Sequence, residues 1–172
     1  MQARELAWED FPALARNYLA LYDEVRENPD LGISLFAERP TWAEEGVWFA
    51  GLYRRVERGE AVAVVADEGG RAVGLCEVQR KGPSPEAWHV GVLGVLVARD
   101  HRGHGAGRAM LERAIALCRG RFELVELTVN ASNPRARKLY ETVGFRLWGT
   151  FPRGLRRGDR YTDVDHMVLD LR

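Results

Sequence analysis

The sequence predicts a mixed central β-sheet flanked by helices, a fold of the α+β / α/β class. Three observations predict it. Short apolar runs alternate along the chain with stretches whose apolar residues recur at helical spacing. The runs Ala61–Ala66 and Arg71–Val78 are separated by Asp67-Glu68-Gly69-Gly70, a turn sequence that makes them a hairpin. The long apolar run Trp88–Ala98 leads through a glycine-rich turn directly into a helical pattern.

Taken in order, Ala3–Leu6 is a short first strand. Asp10 caps a helix over 11–27, with Pro12 in its first turn and Leu14, Leu19 and Leu21 among its apolar positions. A loop over 28–40 holds Pro29, Gly32 and Pro40. Thr41-x-x-Glu44 is a capping box. The helix it opens runs to about Arg58, with Trp42, Val47, Trp48, Leu52 and Val56 on its apolar side, and Gly59 ends it. The hairpin over 61–78 follows, then a loop at 81–85 and the long strand over 88–98. A helix over 105–119, a strand over 122–129, a helix over 133–143 and a strand over 145–151 come next. Arg153–Arg160 reads as a basic loop and Tyr161–Leu171 as the last strand. No linker or repeat divides the chain, so one domain is expected over 1–172.

With 25 acidic and 25 basic residues in a chain of 172, the net charge is zero. That balance argues against capture of nucleic acid or of a membrane surface. Cys76 and Cys118 stand in no metal or redox motif and are expected as buried free thiols. The polar start Met1-Gln2-Ala3-Arg4-Glu5 and the lack of any long apolar run lead to a cytoplasmic expectation.

The most informative stretch is Arg102-Gly103-His104-Gly105-Ala106-Gly107-Arg108. The first N–H groups of a helix have no partner within it, and the helix dipole favours negative charge there. Glycines let a phosphate approach the backbone, while Arg102 and Arg108 add positive charge. The mononucleotide loop pattern fails for want of Lys-Ser or Lys-Thr, and the dinucleotide G-x-G-x-x-G fails in both registers. R-x-x-G-x-G remains. Downstream, Asn133, Ala136, Leu139, Tyr140, Gly144 and Phe145 complete N-x-x-A-x-x-L-Y-x-x-x-G-F.

With both motifs in this order, the chain resembles the GNAT superfamily of acetyl-coenzyme A-dependent N-acetyltransferases. The motifs cover about residues 90–148, and the flanking elements fit the same layout, β-α-α-β-β-β-α-β-α-β-β. The resemblance implies acetyl-CoA as donor and direct attack of the amine in a ternary complex. It implies that the amides of Gly103, His104, Gly105, Ala106, Gly107 and Arg108 hold the pyrophosphate. The pantetheine would lie along the fourth strand on the backbone of Val95, Leu96 and Val97, where an N–H would polarise the thioester carbonyl. Asn133, otherwise a plain helix cap, would contact the cofactor. Tyr140 would be the general acid that protonates the leaving thiolate, since a phenol with a reference pKa near ~10 is protonated at neutral pH.

The general base is where the sequence departs from the pattern. Positions that carry Glu or His in relatives are here Gly91, Leu93 and Thr128. His89, two residues before Gly91, and Glu77, on the neighbouring strand, are the candidates. A third course is that water deprotonates the amine without a dedicated base. For the acceptor, Asp30, Glu44 and Glu45 could attract an ammonium, and Arg153, Arg156, Arg157 and Arg160 could read a carboxylate. Trp42, Trp48, Phe49 and Tyr53 read as core. Asp163, Asp165 and His166 do not share one strand face, and no metal is expected.

The expected activity is therefore acetyl transfer to a primary amine, a free amino acid or related small amine. The alternatives are a protein amino terminus or lysine as acceptor, and a non-catalytic acyl-CoA sensor or scaffold. A homodimer is a possible assembly.

Overall fold

The computed structural model describes residues 1–35 and 38–172. Seven strands form one sheet in the order β1-β2-β3-β4-β5-β7-β6. They are β1 (Gln2–Glu5), β2 (Ala61–Glu68), β3 (Arg71–Arg80), β4 (Val90–Val97), β5 (Leu124–Asn130), β6 (Arg146–Arg157) and β7 (Arg160–Asp170). The helices are α1 (Phe11–Glu27), α2 (Trp42–Glu57), α3 (Ala106–Cys118) and α4 (Pro134–Thr142). Every neighbouring pair of strands is antiparallel except β4 and β5, which are parallel.

Side chains of a strand alternate between faces, and β2 shows how that divides the core. Val62, Val64 and Ala66 pack with Cys76, Val78, Met110, Leu111 and Tyr140 on the face covered by α3 and α4. Ala61, Ala63 and Val65 pack with Leu14, Phe49, Leu52 and Leu75 on the face covered by α1 and α2. Apolar residues on both sides of β2 and β3 explain why these strands read as continuous apolar runs. The Thr41 capping box forms as expected: Glu44 N–H donates to Thr41 Oγ1, and Thr41 N–H donates to Glu44 Oε2.

Two expectations need correction. Trp88 and His89 are not in β4; they form an exposed turn after a short helical turn at Pro85–Ala87. Arg153–Arg160 is not a loop, because β6 continues to Arg157 and turns tightly through Gly158 and Asp159 into β7. Gly154 and Gly158 gave the segment its loop character. As β6 lies at the sheet edge, the missing N–H of Pro152 breaks no interior ladder. An irregularity between Phe151 and Leu155, with Arg153 at φ 54°, absorbs the extra residues before pairing resumes at Leu155↔Thr162.

Candidate active site

The parallel pair β4/β5 opens early. Its rungs are Val90↔Leu124, Gly91↔Val125 and Val92↔Glu126, whereas β3 follows β4 as far as Gly74↔Val97. From Leu93 onward, one edge of β4 therefore has no strand partner among the described residues. Alternation decides which groups face the split. Ala98 N–H donates to Val73 C=O and Lys81 N–H donates to Val90 C=O, so the even-numbered residues of β4 point their backbone at β3. The odd-numbered residues Leu93, Val95 and Val97 face the split. Of the three expected backbone contacts, Val95 and Val97 are presented, while the Leu96 backbone faces β3. The Val97 carbonyl already accepts from Arg102 Nε at 2.9 Å.

The glycine turn stands at the end of this edge. Gly105 is the N-cap of α3 with φ 85°, and no side chain caps the helix. The N–H groups of Ala106, Gly107 and Arg108 are thus left for a ligand. A Cβ on Gly105 would meet nothing within 4 Å, so the approach is open. Gly107 has a different duty: a Cβ there would lie 3.1 Å from Leu139 Cδ2, which seats the first turn of α3 against α4. Gly103 and His104 are exposed on the rim.

Arg102 supplies no free charge to this cradle. Its guanidinium is held by Glu24 of α1 through paired bonds of 2.8 and 2.7 Å, and together with the Val97 bond this ties α1 to the end of β4. Arg108 pairs with Glu112 one turn along the exposed face of α3. Arg135, in the first turn of α4, brings its guanidinium to Gly103, with Nη2 2.8 Å from where a Cβ would stand. The sequence reading missed Arg135, which sits inside the second motif as one of its unspecified positions. Asn133 caps α4 by accepting from Ala136 N–H at 3.0 Å, and its Nδ2 donates to Gly32 C=O. The open edge, the uncapped helix and the clear approach at Gly105 together fit a long ligand with a pyrophosphate.

Tyr140 and Glu77 approach the open edge from opposite faces. Tyr140 is buried in the α3/α4 layer, edge-on to Phe145 at 6.0 Å. Burial, with a smaller contribution from neighbouring Cys76, raises its pKa, so the phenol keeps its proton. Cys76 pairs with Val95 across β3 and β4. Glu77 occupies the next rung, opposite Gly94, on the α1/α2 face. Its Oε1 lies 3.2 Å from the position of a Gly94 Cβ, so glycine at 94 leaves the space that the carboxyl occupies. Burial pushes its pKa up to about 7, against a hydrogen bond from Gln79 Nε2 and the charge of Arg55, which lower it.

Glu77 faces a cavity of about 300 Å³ between the sheet and α1/α2, bordered by Leu14, Tyr18, Glu45, Trp48 and Gly94–Leu96. Of the four aromatics expected as core, Phe49 is buried and Tyr53 packs against it, but Trp42 and Trp48 are exposed and join neither core cluster, Trp48 bordering the cavity instead. His89 is not brought here. Its carbonyl accepts from Glu123 and Leu124 at the closed end of the β4/β5 pair. Six residues of strand put it roughly 20 Å from Val95. Thr128 is exposed on β5.

The other acceptor candidates are engaged elsewhere. Glu44 serves the cap, and Asp30 pairs with Arg160 at 3.0 Å. Arg157 donates to Pro29 C=O and Ile33 C=O, which pins the β6–β7 hairpin to the loop after α1. Arg156 donates to Gly158 C=O, and the Arg153 N–H donates to Asp163. Cys76 and Cys118 are buried free thiols whose pKa values burial raises, which suits neither to nucleophilic work. Among the described residues no group of three or more metal-ligating side chains occurs, and no helix is long and apolar enough to cross a membrane.

The site is thus an open edge of β4 that ends in a glycine-rich helix start, with the Glu77 carboxyl on one face and the Tyr140 phenol on the other. Residues 3–145 match the model of the Acetyltransferase (GNAT) family, and the chain belongs to that family. The chain is 49% identical over 61 residues to N-alpha-acetyltransferase 40 of Saccharomyces cerevisiae, a match spanning 30% of this chain and 21% of that protein. It is 30% identical over 86 residues to the L-amino acid N-acetyltransferase AaaT of Escherichia coli, across 49% of this chain and 53% of that protein. These alignments thus span a fifth to about half of the curated relatives. The solved ribosomal-protein-alanine N-acetyltransferase of Brucella melitensis superposes with a TM-score of 0.82 at 25% identity, over 99% of this chain and 100% of that one.

Proposed function

We propose that this protein transfers the acetyl group of acetyl-CoA to a small primary amine bound in the cavity beside Glu77. The observation that carries the proposal is the placement of Glu77 and Tyr140 on opposite faces of the sheet beside the open β4 edge, Glu77 on the rung with Gly94 and Tyr140 in the α3/α4 layer next to Cys76, which pairs with Val95. Acetyl-CoA supplies the acetyl group as a thioester, activated toward amines. The Val95 N–H and C=O are free to align that group, and the N–H polarises its carbonyl. Glu77 takes the proton that an ammonium must lose before it can attack. Tyr140, on the far face, gives its proton to the departing sulfur. The amides of 106–108 and the Arg135 charge hold the phosphate end.

An assay of thiol release across a panel of small amines and peptides tests the activity. Acetyl-CoA binding with no thiol release on any amine would favour a sensor instead. Tyr140→Phe is expected to lower turnover about a hundredfold while leaving the acetyl-CoA dissociation constant nearly unchanged. Unchanged turnover would remove Tyr140 from the mechanism.

A homodimer is also proposed, formed through β6. This edge strand exposes Leu147, Trp148, Phe151 and Leu155 beside an unpaired backbone edge. Light scattering on the eluting protein is expected to give twice the chain mass, and Phe151→Lys to halve it. A monomeric wild type would end this reading.

A further inference from the structure

Glu45 is in the first turn of α2, 8% exposed, and borders the same cavity as Glu77. No side chain or backbone group among the described residues donates to its carboxyl. The bordering residues Phe11, Leu14, Tyr18, Trp48, Phe49 and Leu75 supply apolar and aromatic walls, and no Lys, Arg or His is among the described lining residues. The Glu45 carboxyl oxygens are reachable from the cavity, so an occupant that closes them off from solvent must itself donate to them. None of the four arginines that could have read a substrate carboxylate is among the described residues lining this cavity, and the guanidinium groups of Arg156, Arg157 and Arg160 have partners elsewhere.

We propose that the acceptor is a diamine-type compound without a carboxylate, with one nitrogen at Glu77 and a second cationic nitrogen at Glu45. Rejection follows from the same features as selection. A carboxylate in this cavity would meet two acids and no base, so an amino acid of equal length is excluded by repulsion. An apolar monoamine would fill the walls but leave Glu45 buried and unpaired. The aromatic rings around the cavity add favourable faces for a cation.

The proposal rests on the reading of Glu77 as the base, so the test reads binding and turnover separately. Diamines of three to six carbons are compared with monoamines and ω-amino acids of equal length. Calorimetry on the CoA-loaded protein gives binding, and thiol release gives turnover. A diamine is expected to bind at least about tenfold more tightly than its monoamine and ω-amino acid counterparts. Glu45→Gln should collapse the diamine-to-monoamine ratio, and Glu45→Asp should restore part of it. Glu77→Gln should depress turnover on every amine while the diamine preference in binding persists. Diamine preference in binding without turnover on any amine would overturn the base reading and the acceptor assignment with it, while supporting a dication site at Glu45. Turnover with no diamine preference, a preference unaltered by Glu45→Gln, or equal binding of the ω-amino acid would overturn it.

Discussion

Glu77→Gln is expected to lower kcat/KM by about 10²–10⁴-fold, the range for loss of a positioned acid–base group. The amide keeps the shape of the carboxyl and can still bond Gln79, but it cannot accept a proton from an ammonium. The pH profile makes the expectation specific. Burial brings Glu77 to about 7, so the carboxylate that acts as base is lost as pH falls through that value. Wild-type kcat/KM should therefore rise through about pH 7 and level off above it, and the variant should lose that limb. Thermal unfolding controls for damage to the fold. The folded-state pKa lies above the ordinary carboxyl value of about 4.3, so the folded protein binds this proton more tightly than the unfolded chain. The stability contribution is thus present at low pH and is lost as pH rises through the window up to about 7. At pH 8 the wild type carries a buried charge that Gln removes, and the variant should melt no lower than the wild type. A wild-type profile flat between pH 6 and 8 would count against Glu77.

Gly105→Glu is expected to abolish acetyl-CoA binding. Gly105 holds φ 85°, a left-handed conformation that a residue with a Cβ adopts only with strain. The space beside it is open, so a side chain would project without a clash into the approach to the α3 amides. A carboxylate there places negative charge where the phosphates must come, against the preference of the helix terminus for a single anion. Calorimetry with CoA should show no measurable heat of binding, and Gly105→Ala should give a smaller loss from strain alone. If Gly105→Glu binds CoA as the wild type does, the cradle lies elsewhere.

The local geometry of the candidate donor side was legible in the sequence because its determinants are local. The glycine turn, the Asn133 cap and Tyr140 each lie within a contiguous strand–turn–helix unit whose spacing sets the geometry. What depended on distant parts of the chain was not legible. Arg102 looked like a phosphate ligand, yet its partner Glu24 is 78 residues away in α1. Glu77 was visible only as an acid on a neighbouring strand. Its place beside the open β4 edge became apparent through the rung with Gly94, which long-range strand pairing sets. His89 looked equally suitable by two-residue alternation, but the turn at 85–89 ends that alternation before β4 begins. The arginine segment failed for a reason specific to edges: glycines normally signal a loop, and an edge strand with an irregular register accommodates Gly154. Leu96 shows the finest limit, since the parity that turns its backbone to β3 depends on which strand pairs where.

If acetyl transfer occurs on the open β4 edge, with the base on the α1/α2 face and the acid on the α3/α4 face, a crystal structure with CoA joined through an acetyl linker to an alkylamine shows it directly. The linker carbonyl oxygen is expected within about 3 Å of the Val95 N–H, with the amine nitrogen directed at Glu77 and the sulfur directed at Tyr140. An amine nitrogen on the Tyr140 side, or a linker away from the β4 edge, would contradict it.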